Sequence, residues 1–229
     1  MRILAIDTSG RLASCSLYED GREVASCTRD SQMDHSRTIL PLCEEMVRAQ
    51  GLTFKDIDAY AAAVGPGSFT GIRIGVAAAK GLSWGGELPL CGVSTLEAMA
   101  LGLGAYEGIV CPVMDARRSQ VYNALFRAEG GKLTRIAPDR AISLEELGKE
   151  LSALPGPVFL VGDGSYVTHK ALPGTVLPPE HRLHQRAAGV ALAAEEKIAS
   201  GESCDGAALT PNYLRLSQAE RERLEKQKK

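Results

Sequence analysis

Two polar stretches of this sequence contain residue types that can hold a phosphate group. Each directly follows an apolar run, and together they comprise Asp7, Thr8, Ser9, Gly162, Asp163 and Gly164. Hydroxyl groups and the N–H groups of a glycine turn donate hydrogen bonds to phosphate, which approaches the backbone closely where a side chain is absent. Glycine turns also occur where a strand simply passes into a helix. Two interpretations therefore stay open, a nucleotide site and a pair of structural turns.

Sequence motifs for metal or P-loop chemistry are absent. The chain contains neither GxxxxGK[ST] nor HExxH, so P-loop phosphate binding and zinc-protease chemistry are not expected. The one close pair of histidines, His181 and His184, lies in a polar stretch flanked by prolines. We interpret both histidines as surface residues and expect no metal site.

Composition is typical of an ordinary globular protein. The 229 residues are 45% hydrophobic and 24% charged, with a net charge of −2. A protein that binds RNA by itself usually carries a basic excess, so any nucleic-acid role is expected to be shared with a partner. Six cysteines without a CxxC pair are typical of a reducing compartment. The short apolar start of the chain does not resemble a signal peptide, and we expect a cytoplasmic protein without membrane contact.

An internal repeat predicts the fold. Residues 3–24 can be laid over residues 111–133, so that Asp7 falls on Asp115 and Tyr18 on Phe126. The residues that follow repeat as well, because 61–68 parallels 158–165 as an apolar run ending in Gly-x-Gly-Ser. The pattern of each copy predicts three antiparallel strands, a helix, a strand and a further helix. The helix of the second copy begins with a capping box of Ser143 and Glu146.

The repeated plan is that of the actin, hexokinase and Hsp70 superfamily of ATPases. We expect an α/β protein with two related lobes, each with a mixed five-stranded sheet and helices. The lobes are predicted to span residues 1–104 and 105–216, with a helix near 185–200 that packs back on the first lobe. Residues 217–229 are expected to form a disordered, charged tail.

The turn equivalent to Thr8 and Ser9 argues against a nucleotide site. In the second copy this turn contains Arg117 and Arg118, where nucleotide-binding members of the superfamily have small residues. Asp163 would also repel a phosphate unless a magnesium ion lay between them. We expect no tightly bound cofactor, with ATP or ADP placed at the interface of a complex if it is bound. A kinase-like enzyme of the superfamily stays the alternative interpretation.

Several motifs together resemble those of the bacterial TsaB (YeaZ) family. They are ILAIDTS, DHSRTILP, VGPGSFTGIRIGVAAAKGL, GVSTLEAMA, PVMDARRSQVYNALF, LVGDG and PNYLR. The resemblance implies a dimerisation subunit, without catalytic residues, of the machinery that installs threonylcarbamoyladenosine in tRNA. It implies pairing with the catalytic paralogue TsaD and docking of the small ATPase TsaE. A homodimer through the same surface is expected when the paralogue is absent.

The resemblance also bears on metal binding. The catalytic paralogue carries two metal-binding histidines in a segment like VNHxEAH, and the matching positions here are Thr95 and Met99. A threonine hydroxyl is a poor ligand, and a thioether is too soft for a hard cation. This substitution predicts a chain that is no enzyme by itself, and it removes the metal that a metalloprotease would need.

Small residues recur on the predicted helix after the GPGS loop. Gly71, Gly75 and Ala79 are spaced by four residues and so share one stripe. Glycine in a helix costs about 1 kcal/mol relative to alanine, which suggests that another backbone approaches closely. We expect Gly71 and Gly75 to face outward, although packing on the protein's own sheet would explain the stripe too. The predicted interface comprises Gly71, Ile72, Gly75, Ala78 and Ala79.

Three larger side chains near this stripe are further candidates for a functional role. Arg73 follows the glycine loop, in the first turn of the helix, and is interpreted as a surface or ion-pairing residue. Phe69 and Trp84 are interpreted as anchors in the core or in an interface. Aromatic residues make up only 5% of the chain, so stacking platforms for bases are not expected.

Overall fold

Two β-sheets form the framework, and each is built from one copy of the repeat. The computed structural model describes residues 1–30, 34–104, 106–117, 119–203 and 208–215. The first sheet has the strand order β3-β2-β1-β4-β5, with β1 Arg2–Asp7, β2 Leu12–Glu19, β3 Arg22–Asp30, β4 Ala59–Gly65 and β5 Leu90–Ser94. The second has the order β8-β7-β6-β9, with β6 Gly108–Asp115, β7 Gln120–Glu129, β8 Lys132–Ser143 and β9 Val158–Val161.

The helices connect and cover these strands. They are α1 His35–Ala49, α2 Phe69–Trp84, α3 Thr95–Leu103, α4 Leu144–Ser152, α5 Ser165–Ala171, α6 Glu180–Leu183 and α7 Ala187–Ala199, with a 3₁₀ turn at Phe54–Asp56. Serine side chains begin three of them, because Ser68, Ser94 and Ser143 each accept a backbone N–H at a helix start. The capping box of Ser143 and Glu146 predicted from the sequence is confirmed.

Strand pairing is the same in the two sheets. β1 pairs antiparallel with β2 and parallel with β4, and β6 pairs in the same two ways with β7 and β9. Asp7 and Asp115 are therefore the last residues of equivalent strands, as the repeat predicts. The predicted architecture of two related α/β lobes is confirmed.

The fifth strand of the second sheet is where the prediction was wrong. Four strands are paired in that sheet within the described part of the chain. After β9, the segment that corresponds to β5 makes an isolated parallel bridge between Phe159 and Val176. Pro178 and Pro179 follow after Leu177 and lack the N–H groups that a longer strand would donate. The strand is thereby reduced to one bridge.

Helices cover both faces of the first sheet. Alternate residues of β1 point to opposite faces: Leu4 and Ile6 pack under α1 and α2, while Ile3 and Ala5 pack under α7. The helix α7 approaches α3 very closely, since a Cβ atom at Gly189 would lie 1.9 Å from the carbonyl oxygen of Ala98. The division into lobes at residue 104 stays a prediction.

The second sheet shares α3 with the first. Leu96, Met99 and Leu103 of α3 pack against Val110 and Phe126 of the second sheet, while Ala98 of the same helix packs with α7 on the first sheet. The opposite face of the second sheet is covered by α4. The described residues contain no helix of the length and apolarity needed to cross a bilayer. The predicted tail, residues 217–229, lies outside the described residues, as does Arg118.

Candidate docking helix and inter-sheet cleft

The predicted phosphate-binding residues of the first turn are buried and bonded to the protein itself. The Ser9 N–H and hydroxyl donate to Oδ1 of Asp7 at 2.8 and 2.6 Å, and the Thr8 hydroxyl donates to the Gly71 carbonyl at 2.7 Å. The Ser9 carbonyl accepts the Ser68 N–H at 2.7 Å. These bonds hold the β1–β2 turn against the start of α2. The N–H and hydroxyl groups that form them are therefore not available to a phosphate.

Asp7 is an electrostatically unusual residue. It is completely buried, and its Oδ2 atom has no hydrogen-bond partner. Burial raises the pKa of this carboxyl group, and the hydrogen bonds from Ser9 lower it in part. Asp7 therefore ionises less readily than an aspartate in water.

The glycines of the second turn pack against the backbone of β6. A Cβ atom at Gly162 would lie 2.2 Å from the carbonyl oxygen of Val113. The Gly162 N–H donates to the Leu183 carbonyl, and the Gly164 N–H donates to the Val113 carbonyl at 3.1 Å. Asp163 accepts the Asp115 N–H at 3.2 Å. Both glycines therefore serve close packing of the chain, and their N–H groups do not point to a ligand.

A cleft of about 390 Å³ lies between the ends of the two sheets. Ser9 and Asp163 line it, so the structure brings the two predicted polar stretches to one place. Its cationic lining residues are Arg11, Arg117 and Arg215. The chain itself reaches into this space, because residues 212–215 form part of the wall. The residues present do not fit the nucleotide that the fold would suggest, since the N–H groups of Ser9, Gly162 and Gly164 are already engaged within the protein.

The positions of the paralogue's histidines are closed to solvent. Thr95 and Met99 are both buried, and the Thr95 hydroxyl has no hydrogen-bond partner. Met99 lies against Gly162, where a Cβ atom would be 3.1 Å from its sulfur. Among the described residues there is no group of three histidine, cysteine, aspartate or glutamate side chains placed to hold a metal ion. His181 is exposed and His184 pairs with Glu180 at 3.4 Å.

The predicted orientation of the small-residue stripe is wrong. Gly71, Ile72, Gly75 and Ala79 are all buried, and Ala78 is half-buried. A Cβ atom would lie 2.1 Å from the Thr8 carbonyl oxygen at position 71, and 2.5 Å from Thr8 Oγ1 at position 75. The stripe lets α2 pack on the end of β1, which was the alternative interpretation of the sequence.

A different face of α2 is open to solvent. Its exposed residues from the second turn to the end of the helix are Arg73, Ala77, Gly81 and Trp84, which recur at spacings of three or four residues and so lie on one side. Trp84 is 80% exposed, so its interpretation as a core anchor is excluded. A Cβ atom at Gly81 would meet no atom within 4 Å. This exposed face, defined by these four residues, is called the outer face of α2 below.

Comparisons with known proteins identify the family. The family model described as "TsaD: tRNA N6-adenosine threonylcarbamoyltransferase" matches residues 28–222. The tRNA threonylcarbamoyladenosine biosynthesis protein TsaB of Bacillus subtilis (strain 168) is 32% identical over 234 residues, covering 100% of both chains. The chain belongs to the TsaB family. The resemblance read from the motifs is thereby confirmed.

Solved structures agree with this assignment. YeaZ from Pseudomonas aeruginosa superposes with a TM-score of 0.80 at 26% identity, covering 93% of this chain and 99% of that one. The Acidaminococcus fermentans (R)-2-hydroxyglutaryl-CoA dehydratase component A has a TM-score of 0.52 at 15% identity over 87% of this chain and 99% of that one. The latter likeness shows the fold alone. This TsaB-family chain therefore shares that fold, with a cleft in which the N–H groups of Ser9, Gly162 and Gly164 are bonded to the protein itself.

One cluster of this TsaB-family chain was not predicted from its sequence. Phe69 stacks on Tyr213 with ring centroids 4.5 Å apart. Arg73 lies over the Phe69 ring at 4.0 Å and donates from Nε to the Tyr213 hydroxyl at 2.8 Å. The only signal was the late motif PNYLR, whose role could not be read without knowing that the chain returns to the cleft.

Proposed function

We propose that this chain is a non-catalytic subunit in tRNA threonylcarbamoyladenosine biosynthesis, which pairs with the catalytic paralogue TsaD through the outer face of α2. The observation that carries this proposal is the exposure of Trp84 beside Ala77 and Gly81. The names of the TsaB relatives support the pathway, and the match to the TsaD model supports a paralogous partner. TsaE joins the pair, and tRNA is bound only by the assembled complex.

The outer face of α2 has the chemistry of a protein interface. Tryptophan is enriched among residues whose truncation costs most binding energy, and Trp84 is the only tryptophan of the chain. Ala77 and Gly81 carry little or no side chain, so a partner helix can approach the backbone of α2 closely. A specific interface of ordinary size buries about 1,600 Å² in total, which one helix face with its flanking residues can supply.

The absence of catalysis is proposed from the buried pair Thr95 and Met99. A metal centre at these positions would need two imidazoles and a path for substrate, whereas both side chains here are buried and Met99 lies in an apolar cluster. The pathway chemistry is therefore assigned to the partner. This chain contributes a rigid surface that the partner requires.

We further propose that this chain alone binds no nucleotide tightly, and that ATP or ADP is bound where it meets its partners. The N–H groups of Ser9, Gly162 and Gly164 are engaged within the protein, which supports this view. Calorimetry with ATP and magnesium on the isolated chain tests it. A kinase-like enzyme would bind ATP in the cleft with micromolar affinity, whereas we expect no measurable heat of binding.

Co-purification tests the pairing. This chain and tagged TsaD from the same organism are expressed together, and tRNA modification is then assayed with and without this chain. We expect a stable pair and modification that depends on both proteins. Full modification by TsaD and TsaE without this chain would contradict the proposal. Sedimentation of this chain alone reports whether it forms a homodimer through the same face.

A further inference from the structure

The chain returns to the cleft after α7. Leu209 is buried in the core of the first sheet, and Gly92 leaves the space that its side chain fills, because a Cβ atom there would lie 2.6 Å from Leu209 Cδ1. The Asn212 N–H then donates to the Val64 carbonyl at 2.7 Å. At Gly65, a Cβ atom would lie 2.5 Å from the carbonyl oxygen of Asn212. Residues 209–212 are thus held against the end of β4.

The next contact involves the start of α2. Tyr213 stacks on Phe69, and its hydroxyl accepts a hydrogen bond from Arg73 at 2.8 Å. Arg73 also lies over the Phe69 ring at 4.0 Å. An arginine that stacks on one ring and bonds the hydroxyl of the second ring holds both in a defined orientation.

The last contact crosses to the second sheet. Arg215 donates from Nη1 to the carbonyl oxygen of Ala116 at 2.7 Å. Ala116 lies in the turn directly after β6 and belongs to the wall of the cleft. Four residues therefore span from a carbonyl at the end of one sheet to a carbonyl at the end of the other.

We propose that residues 209–215 are an intramolecular ligand of the cleft and act as a strap that ties the two sheets together at this edge. Three groups of the strap make these contacts: the main-chain N–H of Asn212, the aromatic ring of Tyr213 and the guanidinium of Arg215. A tethered segment needs little affinity per contact, because its effective concentration is high. The strap uses space that a small ligand would need. The inference does not depend on pairing with TsaD.

Hydrogen–deuterium exchange on the full chain tests the strap. In the wild type, we expect the Asn212 amide to exchange much more slowly than in an unstructured peptide. Arg215→Ala should speed exchange about fivefold in residues 209–215 and also in the turn that contains Ala116. Tyr213→Ala should speed exchange in the strap and at the start of α2. Circular dichroism confirms that both variants keep their fold.

Arg117→Ala is the matched control, since it removes a guanidinium from the same cleft wall. We expect it to leave exchange of residues 209–215 unchanged. Two results would overturn the proposal. One is exchange of the wild-type strap at the rate of an unstructured peptide. The other is an effect of Arg215→Ala that is confined to the strap and absent from the Ala116 turn, because the two sheets would then not be tied.

Discussion

Thr8 and Gly75 lie so close that a single added carbon would collide with the threonine. A Cβ atom at position 75 would be 2.5 Å from Thr8 Oγ1. The threonine cannot easily turn away, because its hydroxyl donates to the Gly71 carbonyl at 2.7 Å and its branched side chain has few rotamers. The glycine stripe therefore fastens α2 to the end of β1, and it leaves the other side of the helix free for a partner.

This contact predicts opposite effects of one substitution at two glycines of α2. Gly75→Ala should destabilise the protein by about 1–3 kcal/mol, because overpacking outweighs the gain in helix propensity. Gly81→Ala should be neutral or stabilising by up to about 1 kcal/mol, since the added carbon meets open space. Urea unfolding measures both. Equal effects at the two positions would contradict the packing described here.

The buried carboxyl group of Asp7 predicts a pH dependence. Burial raises its pKa in the folded state, so the folded protein binds the proton more tightly than the unfolded chain does. The free energy of unfolding should therefore fall as pH rises from the unfolded pKa of about 3.9 through the raised value. Asp7→Asn cannot ionise and lacks this contribution. Relative to the wild type, we expect the variant to gain stability as pH rises above about 4.

Urea unfolding of both proteins across this pH range provides the measurement. The difference between variant and wild type isolates Asp7 from the other titrating groups. A difference that stays constant with pH would show that folding leaves the Asp7 pKa unchanged, and a shift in favour of the wild type as pH rises would show that folding lowers it. Either result would contradict this prediction.

Replacing the two helix-capping serines Ser94 and Ser143 by alanine should reduce the stability of the protein by different amounts. Ser143 caps α4 through hydrogen bonds of its hydroxyl with Glu146 in the first turn of that helix, and Ser143→Ala should cost about 1 kcal/mol. Ser94 caps α3 between the two sheets, and its hydroxyl also donates to Asp139 of β8. Ser94→Ala removes both interactions and leaves a largely buried carboxylate without this donor, so we expect a larger loss of about 2–3 kcal/mol. Thermal or urea unfolding ranks the two variants, and a smaller loss at Ser94 would contradict this account.

The duplicated architecture could be predicted from the sequence because it depends on local residue patterns. Apolar runs ending in Asp7 and Asp115, and the capping box at Ser143, report strand ends and helix starts directly. The missing fifth strand could have been foreseen from Pro178 and Pro179, which cannot donate to a sheet. The repeat suggested a fifth strand, and the local chemistry of two prolines overrode it.

The orientation of α2 could not be read from the sequence. Both sides of the helix carry small residues, since Gly71 and Gly75 lie on one side and Ala77 and Gly81 on the other. Helical spacing gives the stripes but not which one meets the sheet. The contact with Thr8 decides this, and it is between residues 63 or more positions apart. The cluster of Phe69, Arg73 and Tyr213 was hidden for the same reason.

The central claim is that the outer face of α2 binds the catalytic paralogue. The most direct test is the dissociation constant for TsaD, measured by calorimetry with Ala77→Arg and with the control Ala171→Arg, an exposed alanine at the end of α5. Both variants should unfold at the wild-type urea concentration. We predict that Ala77→Arg weakens binding at least about 30-fold, equivalent to about 2 kcal/mol, while Ala171→Arg has no effect. Wild-type affinity of a folded Ala77→Arg protein would contradict the account.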